Sequence, residues 1–146
     1  MQTASKKIIN GWAMYDWANS VYNLVITTTF FPAYYAVVTS TVKFPDGIFF
    51  LGRRFVNTEL KDYVLAFGFL VIALLSPILS SIADYKGNKK NFMRFFCYMG
   101  AVSCSLMYFF DEHHVTLGLM CFMFAGIGFY GSQVFYNSYL PEIAAE

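Results

Sequence analysis

Apolar positions in this chain gather into four long runs, and most charged residues lie between them. The first run covers about residues 8–38. At roughly 30 residues it exceeds the ~20 that a helix needs to cross a bilayer. The others cover about 62–84, 92–110 and 115–139. The pattern predicts an all-α polytopic membrane protein with four transmembrane helices. Inside the first run, Asp16, Asn19, Asn23 and Thr27 step by three, four and four residues. On a helix they form one polar stripe, with Ser20 beside it. A charge at that depth is costly and usually has a task, so the stripe suits a helix lining a cavity or packed on other helices. Asp16 lies about 12 Å of rise inside a helix that begins at Ile8.

The connections carry their own signals. Residues 39–61 form a loop with a turn at Pro45-Asp46-Gly47, a short apolar run Ile48–Leu51, and the pair Arg53-Arg54. That apolar run is expected to lie on the membrane surface or to pack over the helix ends. Pro32 predicts a kink or an early end of the first span, and Pro77 a bend in the second. The link Asp111-Glu112-His113-His114 is brief, so spans three and four should be antiparallel neighbours. Pro141 is expected to stop the fourth span. Within that span Gly118, Gly126, Gly128 and Gly131 predict close helix packing. Gln133 and Asn137, one turn apart, form a second polar stripe that can face the first.

Composition reinforces the membrane reading. The chain is 58% hydrophobic and only 13% charged, where soluble domains are about a quarter charged. Its 17 Phe and 11 Tyr suit lipid-facing surfaces and interfacial belts. A net charge of +1 without a basic stripe excludes nucleic acid as the expected partner. The lipid bilayer is the partner that the composition does imply. Cys97, Cys104 and Cys121 lie in apolar runs and read as small packing residues, not a disulfide framework. Lys6 and Lys7 ahead of an apolar run resemble a signal peptide, but the run is too long and contains Asp16, so it is read as a retained span. Four consecutive residues at 111–114 cannot converge on one ion, so no metal site is expected there or elsewhere. With no catalytic grouping, phosphate loop or Cys-x-x-Cys, no enzyme activity and no cofactor is expected.

Basic residues near the span ends suggest an orientation. Lys6, Lys7, Lys86, Lys89 and Lys90, with Arg94 just inside the third span, would share one side. That bias favours a cytoplasmic N-terminus and makes 39–61 an extracytoplasmic loop.

Asp84-Tyr85-Lys86-Gly87-Asn88-Lys89-Lys90 resembles the signature between spans two and three of the major facilitator superfamily, G-x-L-A-D-R-x-G-R-K. Ala83, Asp84, Gly87 and Lys89 agree with it. Ser80 replaces its first Gly, Ile82 its Leu, and Tyr85 and Asn88 stand where basic residues are common. Trp12-Ala13-Met14-Tyr15-Asp16-Trp17-Ala18-Asn19-Ser20 resembles the first-helix signature of the vacuole-effluxer-like branch, which includes autophagy-related amino-acid effluxers. Phe135-Tyr136-Asn137-Ser138-Tyr139-Leu140-Pro141-Glu142-Ile143 is similar to that branch's fourth-helix end.

The resemblance implies four spans of a six-helix N-terminal half, hence an N-terminal fragment whose partners include the remaining spans. It implies secondary active transport of a small solute, with amino acids as the family-level expectation, by alternating access, with a coupling proton or cation and in a bacterial inner membrane. Spans one and four would line the substrate path, which makes Asp16, Asn19, Asn23, Gln133 and Asn137 the path candidates. Asp84, Gly87, Lys89, Lys90 and Arg94 are the gating-motif candidates. Asp16 reads either as a carboxylate that contacts solute, cation or proton, or as a buried acid bonded to a neighbouring helix. The alternative for the whole chain is a complete small four-helix membrane scaffold or partner-binding subunit without transport.

Overall fold

The computed structural model describes residues 5–140, and of Ala83, Asp84 and Lys86 the backbone alone. The expected stop at Pro141 and the side chain of Asp84 lie outside the described residues. Four helices are long and apolar enough to cross a membrane: Lys6–Val38, Leu60–Ile82, Lys89–Phe109 and Val115–Ser138.

The first span is one continuous helix in three parts. Helix α1 (Lys6–Val21) passes into a π-helical stretch (Tyr22–Phe30) and then into α2 (Phe31–Val38). The sequence predicts a kink or an end at Pro32, but the helix widens ahead of it and continues. Pro32 has no N–H for the Thr28 carbonyl and its ring crowds that carbonyl. Shifting the preceding residues to i→i+5 bonding relieves both, and the Phe31 N–H accordingly bonds to the Ile26 carbonyl. The hydroxyls of Thr28 and Thr29 both donate to the Leu24 carbonyl, at 2.7 and 2.8 Å. An i→i+5 step turns the chain less than an α step. A stripe with four-residue spacing therefore changes the direction it faces: Asp16 and Asn23 are exposed, whereas Phe31 and Tyr35 are buried.

Residues 39–59 hold a small β-hairpin packed over the helix ends. Strands β1 (Ile48–Phe50) and β2 (Arg53–Phe55) are antiparallel, with Ile48 opposite Phe55 and Phe50 opposite Arg53. The two-residue turn has positive φ at both Leu51 (48°) and Gly52 (82°), which suits the twist of a tight hairpin. Ile48 and Phe50 are buried in a core with Phe31, Tyr35, Leu60, Phe110, Leu119 and Phe122. Buried Asn57 pins the loop by donating to the carbonyls of Thr39 (2.8 Å) and Phe44 (3.0 Å). Lys43 reaches Glu112 at 2.5 Å and holds its carboxyl below the usual carboxylate range.

Helix α3 (Leu60–Lys86) runs through Pro77 without ending. Gly87, at φ +64°, makes the left-handed reversal, and α4 (Lys89–Leu106) follows. A single 3₁₀ turn (Met107–Phe109) leads to the 111–114 link. There Asp111 Oδ1 accepts bonds from the backbone N–H groups of His113 and His114, ahead of α5 (Val115–Ser138).

Helix α5 is the hub of the bundle. In its most apolar window 61% of residues are buried within the chain, against 11–17% for the other three spans. Glycine makes the close contact with α4 possible. A Cβ on Gly128 would lie 2.6–2.7 Å from the backbone of Gly100 and from the Phe96 carbonyl oxygen. Against α3, Ile127 joins Ile72 in a second core with Phe96 and Phe135. Much of the remaining apolar surface, including Trp17, Leu24, Phe67 and Leu74, stays exposed, which is the surface a bilayer or further helices would cover.

Candidate functional site

The seam between α1 and α5 is aromatic. Trp12, Tyr15, Asn19 and Tyr22 recur every three or four residues and so share one face of the first helix. The facing residues on α5 are Phe129, Ser132 and Tyr136. Buried Tyr136 stacks on Trp12 (ring centroids 4.6 Å, 9° between planes) and on Tyr15 (5.1 Å). Tyr22 stacks on Phe129 at 4.7 Å, and farther along Phe31 stacks on Phe122 at 3.9 Å. Residue numbers rise along one helix as they fall along the other, so the two run antiparallel. From α4, the Cys97 thiol shares a 2.9 Å hydrogen bond with the Tyr15 hydroxyl.

Apart from Asn19, which lies on the seam, the polar stripes stand one residue beyond it. Asp16 and Asn23 follow Tyr15 and Tyr22, and Gln133 and Asn137 follow Ser132 and Tyr136. One residue is a turn of about 100° around a helix. Because the helices are antiparallel, that turn carries both stripes to the same flank of the seam. They therefore do not face each other across the seam, as the spacing allowed; they stand side by side along it. Asp16, Asn23 and Asn137 are exposed and Gln133 is half-buried. Asp16 makes no hydrogen bond or ion pair among the described residues, and its carboxylate lies within electrostatic reach of the Tyr136 hydroxyl.

Asn19 belongs to the seam itself. It borders a cavity of about 190 Å³ between α1, α4 and α5, with Tyr22, Cys97, Cys104, Gly128 and Ser132. Its Nδ2 and the Tyr22 hydroxyl are buried without a hydrogen-bond partner. Space bounded by orphaned polar atoms is where ordered water belongs.

The gating-motif candidates cluster at the other end of α3. Gly87 forms the reversal, Lys89 is half-buried, and Lys90 and Arg94 are exposed at the start of α4. Among the described residues no group of His, Cys, Asp or Glu could hold a metal ion. Sequence reasoning missed Trp12, Tyr15, Ser132 and Tyr136. Aromatic residues in a membrane span read as lipid-facing or interfacial; the signal that separates Trp12 and Tyr15 is their three-and-four spacing with Asn19 and Tyr22, and for Tyr136 it is the spacing of four and seven from Ser132 and Phe129 on α5.

Residues 4–146 match the family described as vacuole effluxer Atg22 like. The chain belongs to that family. It is 37% identical over 139 residues to an uncharacterized MFS-type transporter, YxiO, of Bacillus subtilis, covering 94% of this chain and 30% of that protein. It is 25% identical over 173 residues to autophagy-related protein 22 of Coccidioides immitis, covering 95% of this chain and 29% of that protein. A third relative, autophagy-related protein 22 of Pyricularia oryzae, is 24% identical over 94% of this chain and 24% of its own length. The chain thus spans about a third or less of the curated relatives it matches. No solved structure matches it. Family membership and four helices apolar enough to cross a membrane make it an integral membrane protein.

Proposed function

We propose that the chain forms the N-terminal four spans of a secondary active transporter that moves a small solute by alternating access. Amino acids are the solute class that the vacuole-effluxer relationship favours. The reading rests on Asp16, a carboxylate left exposed and without a hydrogen bond or ion pair among the described residues, on a membrane helix whose outward flank also carries Asn23. Gln133 and Asn137 extend that flank, and together they offer one anionic and three carboxamide groups to a passing solute, proton or cation. Asn19 sets the depth of the path through its cavity with α4 and α5. At the basic end, the reversal at Gly87 with Lys89, Lys90 and Arg94 forms the gate beside Asp84. The membrane is a bacterial plasma membrane, with the N-terminus and the 86–90 reversal on the cytoplasmic side, as the lysine distribution favours.

The test uses the protein expressed from its whole reading frame and reconstituted in liposomes, with radiolabelled amino acids and an imposed pH gradient. Asp16→Asn abolishes uptake and leaves membrane insertion and yield unchanged. Uptake at the wild-type rate removes Asp16 from the path. A variant that is lost from the membrane assigns Asp16 to holding the bundle together.

A further inference from the structure

Among the described residues, a cation without a partner borders an apolar cleft at the hairpin end of the bundle. Cross-strand neighbours share a face of a hairpin. Arg53, opposite Phe50, is therefore on the face turned to the bundle, while Arg54, opposite Phe49, is on the other. Arg54 has a local counter-ion, Asp46 at 3.7 Å. Arg53 has no hydrogen bond, ion pair or ring contact among the described residues, although it borders the cleft directly.

The cleft below it has a volume of about 270 Å³ and lies between the hairpin, α3 and α5. Phe50, Leu60, Tyr63, Phe67, Met120 and Met123 form its walls. From Leu60 to Phe67 it descends about 10 Å along a membrane span. The methionines supply an adaptable apolar lining. Leu60 and Tyr63 line it at the start of that span, where Tyr63 suits the boundary between headgroups and hydrocarbon.

We propose that this cleft binds one anionic phospholipid, with its phosphate on the Arg53 guanidinium and part of an acyl chain between α3 and α5. A soluble anion would gain one exposed guanidinium and nothing from the apolar walls. A neutral apolar molecule would fill the walls and leave the guanidinium unanswered. A lipid with a charged phosphate and a hydrocarbon tail answers both, and guanidinium is the side chain whose forked donors fit phosphate oxygens.

Native mass spectrometry of the delipidated protein, expressed from its whole reading frame, tests this. The protein is offered phosphatidylglycerol or phosphatidylcholine with identical acyl chains. The wild type retains one phosphatidylglycerol, preferred by roughly fivefold, the scale of one basic residue facing an anionic lipid. Arg53→Gln loses the preference, and Arg54→Gln, on the opposite face, keeps it. Size exclusion and circular dichroism confirm that the variants remain folded. Equal retention of the two lipids by the wild type overturns the proposal, and this is also the result expected if further helices cover the cleft. Undiminished preference in Arg53→Gln overturns it as well.

Discussion

Tyr136 shows how one side chain can join a structural seam to a polar stripe. Its ring stacks on both Trp12 and Tyr15, and its hydroxyl is within electrostatic reach of Asp16. The hydroxyl bond to the Trp12 carbonyl is long, at 3.4 Å, so the ring supplies most of the hold. Tyr136→Phe should therefore leave stability within about 1 kcal/mol of wild type, the net value of an ordinary hydrogen bond. Tyr136→Ala removes both stacks and opens a cavity, at a cost on the order of 3–5 kcal/mol. Unfolding titrations with SDS in mixed micelles would separate the two, and equal losses would show that the hydroxyl, not the ring, secures the seam. The polar stripes were legible from spacing alone. Their position was not, because spacing gives the angle between residues on one helix and not the angle at which that helix meets its neighbour. The residues that set this angle, Trp12, Tyr15 and Tyr136, have the same composition as lipid-facing aromatics.

At the scale of elements, hydropathy found the spans because burying backbone in lipid requires long, internally bonded helices. It could not find the π-helical stretch. Pro32 signals a missing donor, but whether the helix kinks, ends or widens depends on what surrounds it. Thr28 and Thr29, both bonded to the Leu24 carbonyl, accompany the widening here. The hairpin was partly visible as an apolar run beside a turn signal. Its own turn was hidden, because Leu51 takes a positive φ that non-glycine residues seldom adopt.

Glycine in α5 illustrates the same division between what a pattern predicts and what contact decides. The small residues predicted close packing, yet the four glycines are not equivalent. A Cβ at Gly128 would strike backbone atoms of α4 that cannot move alone, whereas one at Gly126 would meet only Leu65 Cδ1 and the Tyr22 hydroxyl at 3.6–3.7 Å. Gly128→Ala should cost about 1–3 kcal/mol by forcing α4 and α5 apart. Gly126→Ala, in ordinary van der Waals contact, should be close to neutral. The same SDS titration measures both, and equal destabilisation would mean that the α4–α5 approach is looser than Gly100 and Gly128 imply.

At the scale of the molecule, the four spans meet at α5 and leave most of α1, α3 and α4 facing outward. Such a bundle has two chemically different ends. One carries the hairpin, the Asn57 clamp and the Lys43–Glu112 pair, and the other carries Lys6, Lys7 and the reversal at Gly87. Because α1 and α5 are antiparallel, and α3 and α4 are joined by that tight reversal, residues 39–59 and 86–90 must lie on opposite membrane faces. In the proposed orientation the reversal is the cytoplasmic one. Single cysteines would test both parts of this. With Cys97, Cys104 and Cys121 replaced by Ser, a cysteine at Asp46 should react in intact cells with a membrane-impermeant maleimide. A cysteine at Lys90 should react only after the membrane is permeabilised. The reverse pattern would invert the orientation while keeping the fold, because it still separates the two loops. Labelling of both from outside would contradict the antiparallel bundle itself, and with it the flank on which Asp16, Asn23, Gln133 and Asn137 lie together.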